Sequence, residues 1–357
     1  MSKRIKNLDP LRGFLAICVM LCHIPLISKT LNLPYFSALP LFDKGHEVVL
    51  VFFVLSGFLI IGLLYDEKRE KGKINIKDFY IRRILRLYPV YYLVLSFGFI
   101  LYHFLLPVLK IPFDVNYHLL EGIAWSVGFL PNVFRALYEP GSVLTILWSI
   151  GIEEQFYLII APLLYLLPIK NYMKGLLFFT IGYLLIFHLE TFYFLEKYDF
   201  LYFFLTSGGL VAIAHRKGIR LYFQSTILRW IVYIIFFMYL MTDVFSFLAP
   251  KIYESVFQVV IFNLLIINLS NDATIDIKNR FINYLGKISY GIYMYHMIVV
   301  NLVLYVFMKI NIQGYLYDWQ TIILVHIICL VGTFFASHLS YKYFESYFLK
   351  KKEKYRN

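Results

Sequence analysis

The feature that most constrains this chain is a succession of apolar runs, many near the roughly 20 residues a helix needs to cross a bilayer core. They fall at 11–31, 47–65, 87–106, 145–168, 175–190, 200–215, 229–247, 254–270, 285–307 and 320–342. Backbone inside hydrocarbon must satisfy its own hydrogen bonds, which leaves helices or closed barrels, and no alternating barrel pattern is present. The sequence therefore predicts an all-α integral membrane protein with about ten transmembrane helices. Composition agrees: 16% of residues are charged and 60% hydrophobic, whereas soluble domains carry about a quarter charged residues.

The net charge of +12 does not point to nucleic acid, because the basic residues sit in short segments between apolar runs. That is the signature of insertion, in which cytoplasmic loops collect Lys and Arg. Placing both termini in the cytoplasm puts 27 of the 34 Lys and Arg on that side. Lys29, Lys44, Lys110, Arg135, Lys197, Lys251 and Lys309 fall outside. The stretch 119–137 is apolar but broken by Glu121, Gly128 and Pro131-Asn132, so it reads as a re-entrant or surface segment. Counting it as a span would reverse every later loop and undo the charge asymmetry. The domain expectation is one membrane domain, 1–345, with a short basic cytoplasmic tail at 346–357 and no soluble module.

Cys18, Cys22 and Cys329 all lie in apolar runs, with neither a disulfide framework nor a metal-binding spacing, and read as packing residues. The first run lacks a small-residue cleavage site, so it reads as a retained span. The abundance of Phe, Tyr, Ile, Lys and Asn hints at an AT-rich, bacterial genome.

Ionisable side chains at membrane depth are costly and default to functional candidates. His23 lies deep in the first span, and Arg12 precedes it by eleven residues. On a helix that spacing returns to within about 20° of the same face, with a rise of roughly 16 Å. The pair is thus an Arg at the mouth and a His inside; the plainer reading is a His satisfied by a neighbouring helix and an Arg marking the inner surface. Arg83 and Arg86 share a face at the start of the third span. Two planar guanidinium forks suit a phosphate-bearing ligand, although a basic flank is the commoner cause of one such cluster. Glu153 and Glu154 enter an apolar run after Trp148-Ser149, at what the sequence suggests is the outer end of span four. Glu153 is the one expected to point inward, and Glu154 could sit at a loop edge. Ser56-Gly57 is a small pair that permits close helix approach. His296 is a second buried polar candidate, with Ser149 and Tyr293 in the neighbouring motifs. Glu345 reads as structural, and His103, His188, His326 and His338 as packing or interface residues.

Taken in order, Leu8-Asp9-Pro10-Leu11-Arg12 through His23, Phe52-Phe53-Val54-Leu55-Ser56-Gly57-Phe58, Arg82-Arg83-Ile84-Leu85-Arg86-Leu87-Tyr88-Pro89, Trp148 through Tyr157, and Ile288 through His296 resemble the acyltransferase-3 family of membrane O-acyltransferases. The resemblance runs from Leu8 to about Glu345. It implies acyl transfer, usually acetyl, from cytoplasmic acyl-CoA to surface or exported glycans. It also implies that Arg12 and His23 match the family's Arg-x10-His motif and that Arg83 and Arg86 match its Arg-x-x-Arg motif. Glu153 matches the acidic position after Trp-Ser.

The resulting expectation is a multi-pass enzyme of the bacterial cytoplasmic membrane that O-acetylates a glycan or lipid-linked glycan. Acetyl-CoA is its acyl donor substrate, membrane lipids surround it, and no metal is called for. Arg12, His23 and Glu153 are the candidate catalytic residues, and Arg83 and Arg86 the donor-binding ones. His23 could serve as general base on the acceptor hydroxyl or as the nucleophile that takes the acyl group. Some family members add an extracytoplasmic hydrolase-like domain; without one here, transfer is expected to finish within the membrane domain. The rival from another class is a transporter or flippase, whose pathways are also lined by intramembrane His, Arg and Glu.

Overall fold

The computed structural model describes residues 5, 7–271, 275 and 277–355. Lys3, Arg4, Lys6 and Arg356, counted above among the inner basic residues, lie outside the described residues. Among those described, secondary structure is helical and no strand occurs.

Every apolar run of the sequence becomes a helix. These are α1 (Leu8–Thr30), α2 (Gly45–Lys71), α3 (Ile76–Ile100), α6 (Trp148–Leu166) and α7 (Tyr172–Phe187), then α8 (Tyr202–Arg216), α9 (Thr226–Met241), α10 (Lys251–Asn271), α11 (Arg280–Lys309) and α12 (Asp318–Leu339). Among the described residues, seven helices are long and apolar enough to cross a membrane, and a bent pair, Ile169–Phe187 with Glu190–Lys197 at 94°, would make eight. The remaining two, α8 and α9, have 15 and 16 residues. At 1.5 Å per residue they reach only about 24 Å, short of a full hydrocarbon core. The broken stretch 119–137 forms two short helices, α4 (Leu119–Val127) and α5 (Pro131–Tyr138). Phe129, with φ 60, breaks the helix between them. After α12 a π-helical turn, Ser340–Glu345, leads into α13 (Ser346–Glu353).

The chain divides into two compact units. Unit 1 comprises Met1–Leu55 and Ala214–Tyr341. Its centre is α1 packed on α11, which packs in turn on α12. Small residues let the first pair touch backbone to backbone: a Cβ on Gly286 would run into the Asp9 carbonyl, and one on Gly13 would lie 2.9 Å from the Gly286 nitrogen. Met20, Ile24, Val300, Leu304, Val325 and Cys329 fill the space along this seam. Asn7 fixes the entry to α1. Its amide donates to Leu269 O at 3.0 Å and Ile275 O at 2.5 Å, and its Oδ1 accepts from Ile277 N at 3.1 Å.

Unit 2 comprises Ser56–Ile213 and Lys342–Asn357. The Ser56-Gly57 pair does what a small pair predicts, since a Cβ on Gly57 would overlap the Leu205 carbonyl of α8. Lys68 closes the C-terminus of α6 by donating to the carbonyls of Leu164, Tyr165 and Leu167 at 2.8, 2.8 and 2.5 Å. A cation there satisfies carbonyls that have no intrahelical partner. Asn132 and Gln155 tie the α4–α5 segment to α6. Gln155 donates to Phe129 O at 2.5 Å and Asn132 Oδ1 at 2.8 Å, while Asn132 donates to Tyr198 O at 2.7 Å.

Candidate active site

In unit 1, α1 and α11 bring two histidines together. The ring centroids of His23 and His296 are 5.0 Å apart with planes at 55°. His23 Nδ1 bonds Val19 O at 2.8 Å, and His296 Nδ1 bonds Tyr293 O at 2.5 Å. A carbonyl oxygen only accepts, so both Nδ1 atoms must carry hydrogen. In each neutral ring the lone pair is therefore on Nε2. His296 is fully buried, and its Nε2 has no hydrogen-bond partner. Two imidazoles with their Nδ1 sides tied back to helix carbonyls form a pair that can accept one proton at Nε2. Arg12 lies on the same continuous α1, half-buried, at the end opposite the turn that follows Thr30. Tyr293 contributes its carbonyl to this arrangement and its ring stands 5.7 Å from His296.

Unit 2 holds the other candidates. Ser56 of α2 and Tyr157 of α6 both donate to Glu153 Oε2, at 3.2 and 2.5 Å, and their hydroxyls are 2.5 Å from each other. Glu153 and Tyr157 are four residues apart, one helical turn, so the spacing could have disclosed Tyr157 as the partner of Glu153. The guanidinium of Arg83 lies 5.8 Å from the ring centres of both Phe79 and Tyr157. Its Nε is buried without a partner. Arg86 lies one turn further along the same helix, half-buried. The adjacent cation of the run, Arg82, is engaged elsewhere, donating to Tyr355 O at 2.7 Å and pairing with Glu67 at 3.4 Å. A tight crevice between α3 and α6 is lined by Tyr88, Tyr91, Phe129 and Glu154.

Two expectations change here. Of the adjacent carboxylates, Glu154 is the deeper, 5% exposed with Oε1 unpartnered, while Glu153 is half-buried. Both also stand near the middle of the span instead of at its end, because a short helical turn, Ser142–Thr145, precedes α6 and the span runs from Ser142 to Leu166. Glu154 interacts electrostatically with Tyr88 and with the charge of Arg83, two groups on α3 that a reading of α6 alone could not supply. Ser149 is buried at 4% exposure on the same helix, next to Gly151, where a Cβ would lie 2.5 Å from the Pro131 ring.

The acyltransferase domain family model matches residues 5–341. The chain belongs to this acyltransferase family. Among curated proteins, it is 26% identical to a "Putative acetyltransferase" of Acidianus two-tailed virus, across 83% of this chain and 85% of that one. It is 32% identical to a "Putative peptidoglycan O-acetyltransferase" of Bacillus subtilis, across 43% of this chain but 23% of that one. A Staphylococcus aureus "Putative O-acetyltransferase" is 26% identical across 97% of this chain and 57% of its own length. This acyltransferase-family chain thus spans little more than half of the staphylococcal relative. No solved structure matches it.

Proposed function

We propose that this multi-pass membrane protein transfers an acyl group, acetyl foremost, from cytoplasmic acyl-CoA to a hydroxyl of a surface or exported carbohydrate, in a bacterial cytoplasmic membrane. The observation that carries the reading is the His23–His296 pair: two rings locked by their Nδ1 hydrogens, with Nε2 lone pairs left for chemistry. In the proposed reaction, the acceptor oxygen bonds to the thioester carbonyl carbon and the C–S bond breaks. The hydroxyl proton passes to Nε2 of His23 and then to the departing thiolate, giving the ester and free CoA. General-base assistance of this kind contributes about 10²–10⁴ in rate. His296, tied back in the same way with its ring centre 5.0 Å from that of His23, would share that proton.

The roles of the remaining candidates follow from their chemistry. Arg83, with a buried unspent Nε, and Arg86 would hold the donor's phosphates by forked hydrogen bonds. Arg12 would contribute positive charge near the mouth of α1. Glu153 fixes the hydroxyls of Ser56 and Tyr157, which keeps those donors oriented instead of solvated. The family and the names of its relatives support acyl transfer; the acceptor as a glycan rests on the words peptidoglycan and O-acetyltransferase in those names.

The direct test is release of free CoA by the purified protein in detergent with acetyl-CoA and a de-O-acetylated polysaccharide. Stoichiometric release with ester formation is the expected result. A transporter would consume no thioester, and that outcome would remove the proposal.

A further inference from the structure

A second polar cluster in unit 1 is built from three elements that share one end of the unit. Lys44 precedes α2, Glu47 lies in its first turn, Tyr239 is near the end of α9, and Glu254 and Gln258 open α10. Lys44 Nζ is 3.9 Å from Glu47 Oε1 and stands 4.9 Å above the Tyr239 ring. The Tyr239 hydroxyl donates to Glu254 Oε1 at 2.9 Å and accepts from Gln258 Nε2 at 2.6 Å. Tyr239 and Gln258 are 1% and 6% exposed, whereas the side chains of Lys44 and Glu47 keep 19% each, so the cluster opens at their edge.

Its place relative to the histidine pair is set by the turn that carries Lys44. Cys22 Sγ donates to Leu41 O at 3.1 Å, and a Cβ on Gly45 would lie 3.2 Å from Cys22 Cβ. Cys22 adjoins His23 on α1, so the turn folds back against the helix at the level of the histidine. Arg12 lies at the other end of α1, so the cluster faces away from that basic mouth.

This cluster has more hydrogen-bonding capacity than it uses. Glu47 Oε2 is buried without a partner, although a carboxylate oxygen ordinarily takes one or two hydrogen bonds. Lys44 offers three donors and meets one carboxylate at long range. His296 Nε2, fully buried in the same unit, is a second unpartnered polar atom. A ligand that both donates and accepts several hydrogen bonds over a small area satisfies such a set. An apolar lipid chain does not, and a bare cation would be opposed by Lys44. Vicinal hydroxyls of a sugar ring donate to the carboxylate and accept from the ammonium.

We propose that Lys44 and Glu47, held by the Tyr239–Glu254–Gln258 network, form the subsite that binds the sugar ring of the acceptor beside the His23–His296 pair. This rests on the acyl-transfer reading above and names where its acceptor is recognised. Glu47 and Lys44 are binding residues, and Tyr239 positions Lys44 from beneath.

The experiment measures acetyl transfer by Glu47→Gln and Tyr239→Phe variants against concentration of de-O-acetylated cell-wall polysaccharide, with acetyl-CoA affinity measured separately. Glu47→Gln should raise the KM for polysaccharide about tenfold, the size of one lost charged hydrogen bond. Tyr239→Phe keeps the ring under Lys44 and the core volume, so it reports on the hydroxyl network without emptying the fold; it should raise the same KM by a smaller factor. Acetyl-CoA affinity should not move in either. If both variants keep the wild-type KM, whether or not kcat changes, the cluster is a structural network and the subsite is overturned, while acyl transfer stands. If the wild-type protein consumes no acetyl-CoA with any polysaccharide, the acyl-transfer reading fails and this one with it.

Discussion

His296 stands across the α1–α11 seam from His23, ring centre to ring centre 5.0 Å, and each ring has its Nδ1 hydrogen committed to a carbonyl of its own helix. In the proposed reaction the two imidazoles hold one proton between them, because two cationic rings this close would repel each other. His296→Gln should therefore slow transfer by about 10²–10⁴, as removal of a general acid–base group does. The double variant, with His23→Gln added, should be little slower than the worse single variant, since residues acting as a unit are strongly non-additive. Rates that multiply across the double-mutant cycle would show two independent roles.

Arg83 and Arg82 are neighbours in different surroundings: Arg82 meets Tyr355 and Glu67, whereas Arg83 has a buried, unpartnered Nε. Arg83→Ala and Arg86→Ala should each weaken acetyl-CoA binding by about 1.5–3 kcal/mol, the range for hydrogen bonds involving charged groups. Arg83→Lys should recover only part, because an ammonium has no fork. Arg82→Ala removes the contacts to Tyr355 and Glu67 and should lower thermal stability while leaving donor affinity intact. Equal losses of affinity in all three alanine variants would mean that the run acts through net charge alone.

Glycine contacts give a stability prediction free of any functional assumption. Gly57→Ala and Gly286→Ala place a methyl group into backbone atoms of Leu205 and Asp9, and overpacking of this kind costs about 1–3 kcal/mol. Gly175→Ala and Gly182→Ala, also helical but with nothing within 4 Å, should leave stability unchanged or slightly raised, as alanine favours helix. Thermal unfolding in detergent, followed by loss of helical signal, separates the two sets. Similar behaviour in both would deny the close crossings.

Much of this was legible in the sequence, and the losses have one cause. Apolar length marked each of the ten longer helices, and the break at Gly128–Pro131 was visible in composition. Ser56-Gly57 announced a close approach that Leu205 now explains. Periodicity along one helix says which residues share a face but not which helix that face meets. His23 and His296 are therefore separate candidates in sequence and a pair only in the fold. The same limit reversed the depths of Glu153 and Glu154: the partners that distinguish them, Tyr88 and Arg83, come from α3. Lys44, Glu47, Tyr239, Glu254 and Gln258 each look like ordinary helix-end residues until three segments meet.

The basic asymmetry predicts that the turn joining α2 to α3 faces the cytoplasm. A cysteine at Lys73, exposed in that turn, should resist a membrane-impermeant maleimide in intact cells and react after lysis. It is preferable to one at Gly72, whose φ of +73 would strain any side chain. Labelling of the Lys73→Cys protein in intact cells would invert the assignment of the donor face.

The measurement that bears most directly on the central claim is acetyl transfer by His23→Gln, purified alongside the wild type and matched for thermal stability. Glutamine preserves hydrogen bonding in the α1–α11 seam but cannot shuttle a proton at neutral pH or carry an acyl-imidazole. The account predicts that CoA release and ester formation fall at least about 100-fold while acetyl-CoA binding persists. Near-wild-type transfer by His23→Gln would make His23 a structural histidine and contradict the account.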